Sequence, residues 1–263
     1  MDIIKEAVLR LERQHGPSLS EGPAATERAI ISAAAEFATA HPRSAEELAQ
    51  LRIYHATMRE ERVHTAFTNL RTHIIQRIGK RSCSIVVTAL VEGGGGSFVS
   101  MNLAAAFASD ASGAAILMDA NFGGDRFTQL GDDESRPGVT DFIAGKVPTL
   151  PSLLTDPGVA GLRLMGGGTL RRVPREFFTH PRAPLLFEDI RRQYPDCAVI
   201  VDAPPALLSA NASVLAKYCD GVLLVVPYGR AGEQDVKAAF RSMPGGKLLG
   251  SVFNDVPHWR VTG

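Results

Sequence analysis

From residue 84 onward, six short runs are apolar or β-branched at nearly every position. They are SIVVTAL at 84–90, AAILMD at 114–119, LRLMG at 162–166, CAVIVDA at 197–203, GVLLVV at 221–226 and LLGSVFN at 248–254. Apolar residues at successive rather than alternate positions describe strands covered on both faces, as in parallel sheets. Between them lie segments of helical periodicity, including SFVSMNLAAAFAS, APLLFEDIRRQ and EQDVKAAFRSM. The alternation predicts an α/β fold, a doubly wound and mostly parallel sheet with its crevice at the C-terminal strand ends.

The chain before residue 80 has a different texture. MDIIKEAVLRLERQ places Ile3, Ile4, Ala7, Val8 and Leu11 on one helical stripe, and Gly16 and Pro17 end it. TERAIISAAAEFATA predicts a second helix that stops near His41 and Pro42. From Ser44 to about Ile78 a further helical region is expected, broken once, with Ser44 as its cap and Glu46 and Glu47 in its first turn. The expected organisation is a helical N-terminal extension over 1–79 and the α/β domain over 80–263.

Composition narrows the function classes. Hydrophobic residues make up 45% of the chain, enough for a large core, and 28 Lys and Arg balance 28 Asp and Glu. A neutral chain gains nothing from bulk attraction to nucleic acid or anionic lipid. Asp2, Lys5 and Glu6 interrupt the first apolar stretch, which is therefore not a secretory signal, and runs such as GVLLVV are too short to cross a bilayer. A soluble cytoplasmic protein is expected. Cys83, Cys197 and Cys219 show no CxxC spacing and read as small buried hydrophobes. His55, His64 and His73 recur every nine residues, which suits a surface or interface rather than a metal. The pairs Arg171-Arg172 and Arg191-Arg192 read as solvated faces, and LMGGG at 164–168 as a loop beside the crevice.

The chemistry concentrates in VTALVEGGGGSFVSMNLA, residues 87–104. A strand opening through four glycines into a helix exposes backbone N–H groups at the positive end of the helix dipole, a layout that holds phosphate. The expected cradle runs over Gly93, Gly94, Gly95, Gly96, Ser97 and Phe98, with the Ser97 hydroxyl toward magnesium. The pattern GxxxxGK[ST] puts a lysine before that serine, and here the position is Gly96. Glu92, just ahead of the glycines, would repel phosphate if it faced inward. Asp119 and Asp202 end two apolar runs where the crevice should lie; together with Ser97 they are the expected magnesium ligands and the only expected catalytic carboxylates. One strand-end Asp is commonly just a turn cap. Two in this chain order favour the magnesium site.

This set resembles the kinase domain of bacterial tyrosine kinases of the BY type, within the MinD/ParA-like P-loop group, from about Phe67 to Asp255. VTALVEGGGGS is similar to the family's Walker A loop, ILMDANF to its second acidic motif and AVIVDAPPALL to its Walker B. DGVLLVVPYGRAGEQDV and LLGSVFNDV match downstream strand-loop segments, and RVPREFFTHPR resembles an Asn-Pro-x-Glu-Leu-Leu stretch. MDIIKEAVLRLERQ resembles the start of autokinases associated with exosortase-type exopolysaccharide loci. The resemblance implies ATP or ADP with magnesium, adenine contact by Asn254, and a homo-oligomer motif falling on Thr65, Thr68 and Arg71, of which only the arginine matches.

Other departures from the family pattern fall on Gly96, on Glu92 in place of a proline and on Asn121, which stands where a second aspartate is usual, followed by Phe122, Gly123 and Gly124 rather than arginines. Asn211 replaces an acidic residue. The four tyrosines, Tyr54, Tyr194, Tyr218 and Tyr228, do not form the family's C-terminal cluster. The implied function is a BY-kinase-like domain with weak or absent nucleotide chemistry. It would support exopolysaccharide chain-length control, assembly or export at the cytoplasmic face of a membrane polysaccharide co-polymerase, peripheral to the inner membrane through that partner. The alternative is an ATP-hydrolysing switch or tyrosine kinase with compensating residues, Arg126 among the candidates.

Overall fold

The computed structural model describes residues 37–257 apart from 56–57, 59–60, 111–112, 123–126, 132–134, 148, 171–172 and 175. The expected helix at 1–14, most of that at 26–40, the pair Arg171-Arg172 and Arg126 lie outside the described residues.

Seven strands form one sheet: β1 (Ser84–Ala89), β2 (Ala115–Asp119), β3 (Leu154–Thr155), β4 (Leu162–Met165), β5 (Ala198–Ala203), β6 (Gly221–Pro227) and β7 (Leu248–Asn254). Their order is β3-β4-β2-β5-β1-β6-β7, and every pairing is parallel except β3 with β4. Six of these strands are those expected. The two-residue β3 was not, because nothing in so short an edge pairing repeats often enough to read.

Side chains of successive strand residues point to opposite faces, so each apolar run feeds two cores. Val86, Ile116, Met118, Val199, Val201 and Leu224 pack on one face, and Ile85, Val87, Leu117, Ile200, Leu223 and Val225 on the other. The second face is covered by α3 (Gly96–Ala108), with α1 (Ala45–Gln50) and α2 (Glu61–Ile78) contributing to the same core. Helix α3 is apolar all round because it lies between the sheet and α2. Four alanines (Ala104, Ala105, Ala106 and Ala108) are buried in it, the Phe67 ring of α2 meets Phe98 edge-on at 6.0 Å, and the Arg71 guanidinium donates to Ala106 O at 2.7 Å. The opposite face carries α4 (Val139–Ile143), α5 (Ala183–Gln193), α6 (Asn211–Tyr218) and α7 (Glu233–Ser242).

Ser44 caps α1 as expected. Its hydroxyl accepts from Glu47 N, and the Glu47 carboxylate accepts from Ser44 N, a capping box. The helix expected to reach His41 does not: residues 37–41 are irregular. Tertiary partners compete with helix hydrogen bonding there. Phe37 is buried against Tyr194, Ala38 O accepts from Arg163, and Ala40 N donates to Asp156, which straps this segment to the β4 edge. His64, expected at a surface or interface, stacks on Tyr54 and lies 3.1 Å from its hydroxyl. Cys83, Cys197 and Cys219 are all buried, as expected.

Candidate functional site

β1 and β5 lie side by side, but the chain leaves them toward opposite faces: into α3 after β1 and into α6 after β5. Divergence of this kind opens a crevice at the C-terminal strand ends. The glycine loop and Asp202 meet there. Gly95, in the left-handed region at φ 90°, is the N-cap of α3; its missing Cβ makes that turn accessible. The first amides of α3 have no intrahelical acceptors and stand at the positive end of the helix.

Asp202 is 1% exposed. Ser97 Oγ donates to its Oδ2 at 2.6 Å and Ser100 Oγ to its Oδ1 at 2.9 Å. The carboxylate is thus joined to the first turn of α3 by two hydrogen bonds. Ser100 carries no motif signal; only its position one helical turn from Gly96, whose carbonyl it also meets at 3.0 Å, would have drawn attention to it. Asp119 pairs in register with Asp202 on the neighbouring strand, which points both side chains to the α3 face. Asp119 Oδ1 also accepts from Asn121 N at 2.9 Å, so this strand-end carboxylate caps its turn as well as facing the crevice. Gly167 of the LMGGG loop is packed against it, and a Cβ there would stand 3.3 Å from Asp119 Oδ2.

Other expected site residues are placed as follows. Glu92 is exposed, with its carbonyl accepting from Arg230 Nη2 at 2.8 Å. Gly93 O accepts from Arg230 Nη1 at 2.9 Å, and Gly94 O from Asn254 Nδ2 at 3.3 Å. Asn254 therefore bonds the loop itself. The Phe98 ring turns away to Phe67, with the Arg52 guanidinium 5.2 Å above it, so only the backbone of Phe98 faces the loop. Of the oligomerisation positions, Thr68 bonds the Tyr54 hydroxyl and Arg71 bonds α3; both act within the chain. Asn211 begins α6, nearly buried, with Oδ1 lacking a hydrogen-bond partner. Gly96 is buried, and a Cβ there would stand 3.2 Å from Ala89 N.

The donor set fits magnesium: two carboxylates and a hydroxyl are hard oxygen donors, and Mg²⁺ fills its remaining positions with water and phosphate oxygens. No group of three or more His, Cys, Asp or Glu suited to a metal exists among the described residues, so an ion here depends on Ser97 and on a phosphate. No helix among the described residues is long and apolar enough to cross a membrane.

No family model matches the chain. It is 30% identical over 172 residues to a Ralstonia solanacearum protein named tyrosine-protein kinase EpsB, covering 65% of this chain and 22% of that one. The chain thus spans about a fifth of the Ralstonia relative. Tyrosine-protein kinase CpsD of Streptococcus agalactiae is 27% identical over 216 residues, covering 80% of this chain and 90% of the relative. Among solved structures, the BceF tyrosine kinase domain superposes with a TM-score of 0.65 at 25% identity over 90% of this chain and 99% of that domain. A ParA family ATPase from Chlorobium tepidum shares the fold at TM-score 0.52 and 16% identity, covering 69% of this chain and 78% of that one. With a mostly parallel sheet and a glycine loop entering α3 beside Asp202, the chain is similar to proteins named tyrosine-protein kinases of the Eps and Cps type and shares the fold of solved tyrosine kinase domains and ParA family ATPases.

Proposed function

We propose that this domain seats a nucleotide with magnesium weakly and does not transfer its phosphate efficiently. In this reading it serves as a cytoplasmic binding module for a membrane polysaccharide co-polymerase in exopolysaccharide assembly or export. One observation carries the proposal. The Ser97–Asp202–Ser100 network is assembled, while the lysine position beside it is Gly96. The relatives' names, EpsB and CpsD, support the exopolysaccharide setting.

The residues divide the work in two. The Ser97 hydroxyl, donating to Asp202, keeps lone pairs for an ion, and the loop amides donate to phosphate oxygens. Bound magnesium would neutralise part of the phosphate charge. Transfer also needs a cation at the terminal phosphoryl, and one such group is worth roughly 10²–10⁵ in rate. Gly96 has no side chain to supply it.

Calorimetry with ATP and magnesium tests the nucleotide half of the proposal. Binding in the high-micromolar to millimolar range is expected, lost in Asp202→Ala. No heat at millimolar ATP would refute it. Co-purification with the cytoplasmic segment of the co-polymerase tests the partner half, and its failure when both chains are co-expressed would refute that half.

A further inference from the structure

The glycine loop is held from outside by two residues with no part in the motif that defines it. The geometry points to Arg230 and Asn254 as positioning residues of the loop, drawing off three consecutive carbonyls so that its amides face the crevice; the inference rests on the nucleotide reading of that site. Arg230 Nη2 and Nη1 donate to Glu92 O and Gly93 O at 2.8 and 2.9 Å, and Asn254 Nδ2 donates to Gly94 O at 3.3 Å. In a trans peptide the C=O and the following N–H point in opposite directions. Fixing Glu92 O and Gly94 O outward therefore turns the Gly93 and Gly95 amides inward, while Gly94 N closes a turn onto Val91 O. With the unpaired amides of the first turn of α3, the Gly93 and Gly95 amides form an anion-binding concavity.

The two donors come from separate segments that are tied to each other. Tyr228 N donates to Asn254 O at 2.8 Å, and Arg230 N donates back to Pro227 O. The fit is close: a Cβ on Gly95 would lie 2.0 Å from Asn254 Nδ2, and one on Gly93 would lie 3.6 Å from both Arg230 terminal nitrogens. A planar guanidinium can bond two adjacent carbonyls at once, which an ammonium cannot do as well. The exposed Arg230 also places a positive charge at the loop without standing where the lysine would.

The test compares wild type with Arg230→Ala, Arg230→Lys and Lys237→Ala. Lys237 is an exposed α7 cation paired with Glu233, and its removal changes net charge without touching the loop. Two measurements are made on each: hydrogen exchange of the loop peptide, which contains the bonded amides Gly94 and Val99, and titration with ATP and magnesium. Arg230→Ala is expected to speed loop exchange several-fold and weaken ATP about tenfold. Arg230→Lys should fall between, and Lys237→Ala should match wild type. Unchanged loop exchange in Arg230→Ala overturns the inference, as does equal weakening by Lys237→Ala. If wild type binds no ATP, the nucleotide reading fails by itself, and loop exchange alone decides whether Arg230 holds the loop.

Discussion

Replacing Gly95 with alanine strikes the hinge between the phosphate loop and α3. The backbone there has φ 90° and ψ 14°, and holding an L-residue in that left-handed region costs about 1–2 kcal/mol. The added methyl would also stand 2.0 Å from Asn254 Nδ2, so Asn254 must leave Gly94 O. A lost hydrogen bond adds about 0.5–1.5 kcal/mol. The sum is roughly 1.5–3.5 kcal/mol, and in a domain of this size each kcal/mol lowers Tm by about 2–4 °C. Gly79→Ala is the matched control: φ is 83°, and nothing lies within 4 Å of its Cβ, so it carries the backbone cost alone. Thermal and urea unfolding followed by circular dichroism should rank Gly95→Ala below Gly79→Ala by the Asn254 contribution. Equal destabilisation would refute the seating of Asn254 on the loop.

Two further outcomes follow from groups away from the crevice. Burial alone would raise the Asp220 carboxyl, but the N–H and hydroxyl of Ser84 and the Lys80 ammonium outweigh it and hold the carboxyl below its ordinary 3.8. A depressed folded value means stability that is complete above the unfolded value and lost as pH falls through the folded one. The stability difference between wild type and Asp220→Asn should therefore be flat from pH 7 to about 5 and shrink only below about pH 4; shrinkage already between pH 7 and 5 would contradict this. Burial pushes the Cys83 and Cys219 thiols up to about 12. At pH 8 only about 10⁻⁴ of each is thiolate, so neither should label with maleimide in the native protein, and both should label in urea; prompt native labelling of either would show that it is not buried.

Much of the fold was legible because apolar runs covered on both faces have few other folds to enter. SIVVTAL and CAVIVDA became neighbouring central strands, and AAILMD joined them through β5. The irregular path of residues 37–41 was not legible: alanine-rich propensity argued for helix, while the burial of Phe37 against Tyr194 and the reach of Arg163 to Ala38 O depend on residues more than a hundred positions away. The candidate site divides in the same way. Gly93 to Ser97, Asp119 and Asp202 lie within motifs or at strand ends and could be named beforehand. Ser100, the outward Glu92, the Phe98 ring and the Arg230–Asn254 support depend on how β6, β7 and α2 come to rest against the loop and α3, and no local spacing encodes that.

The central claim concerns a missing charge, and phosphotransfer measured at saturating ATP and magnesium, beside Gly96→Lys, tests it most directly. A Cβ at this position would stand 3.2 Å from Ala89 N, so the substitution calls for a few tenths of an ångström of relaxation there. The account predicts wild-type turnover at background and a gain of about 10² or more in Gly96→Lys. Robust wild-type turnover that vanishes in Asp202→Ala would contradict it.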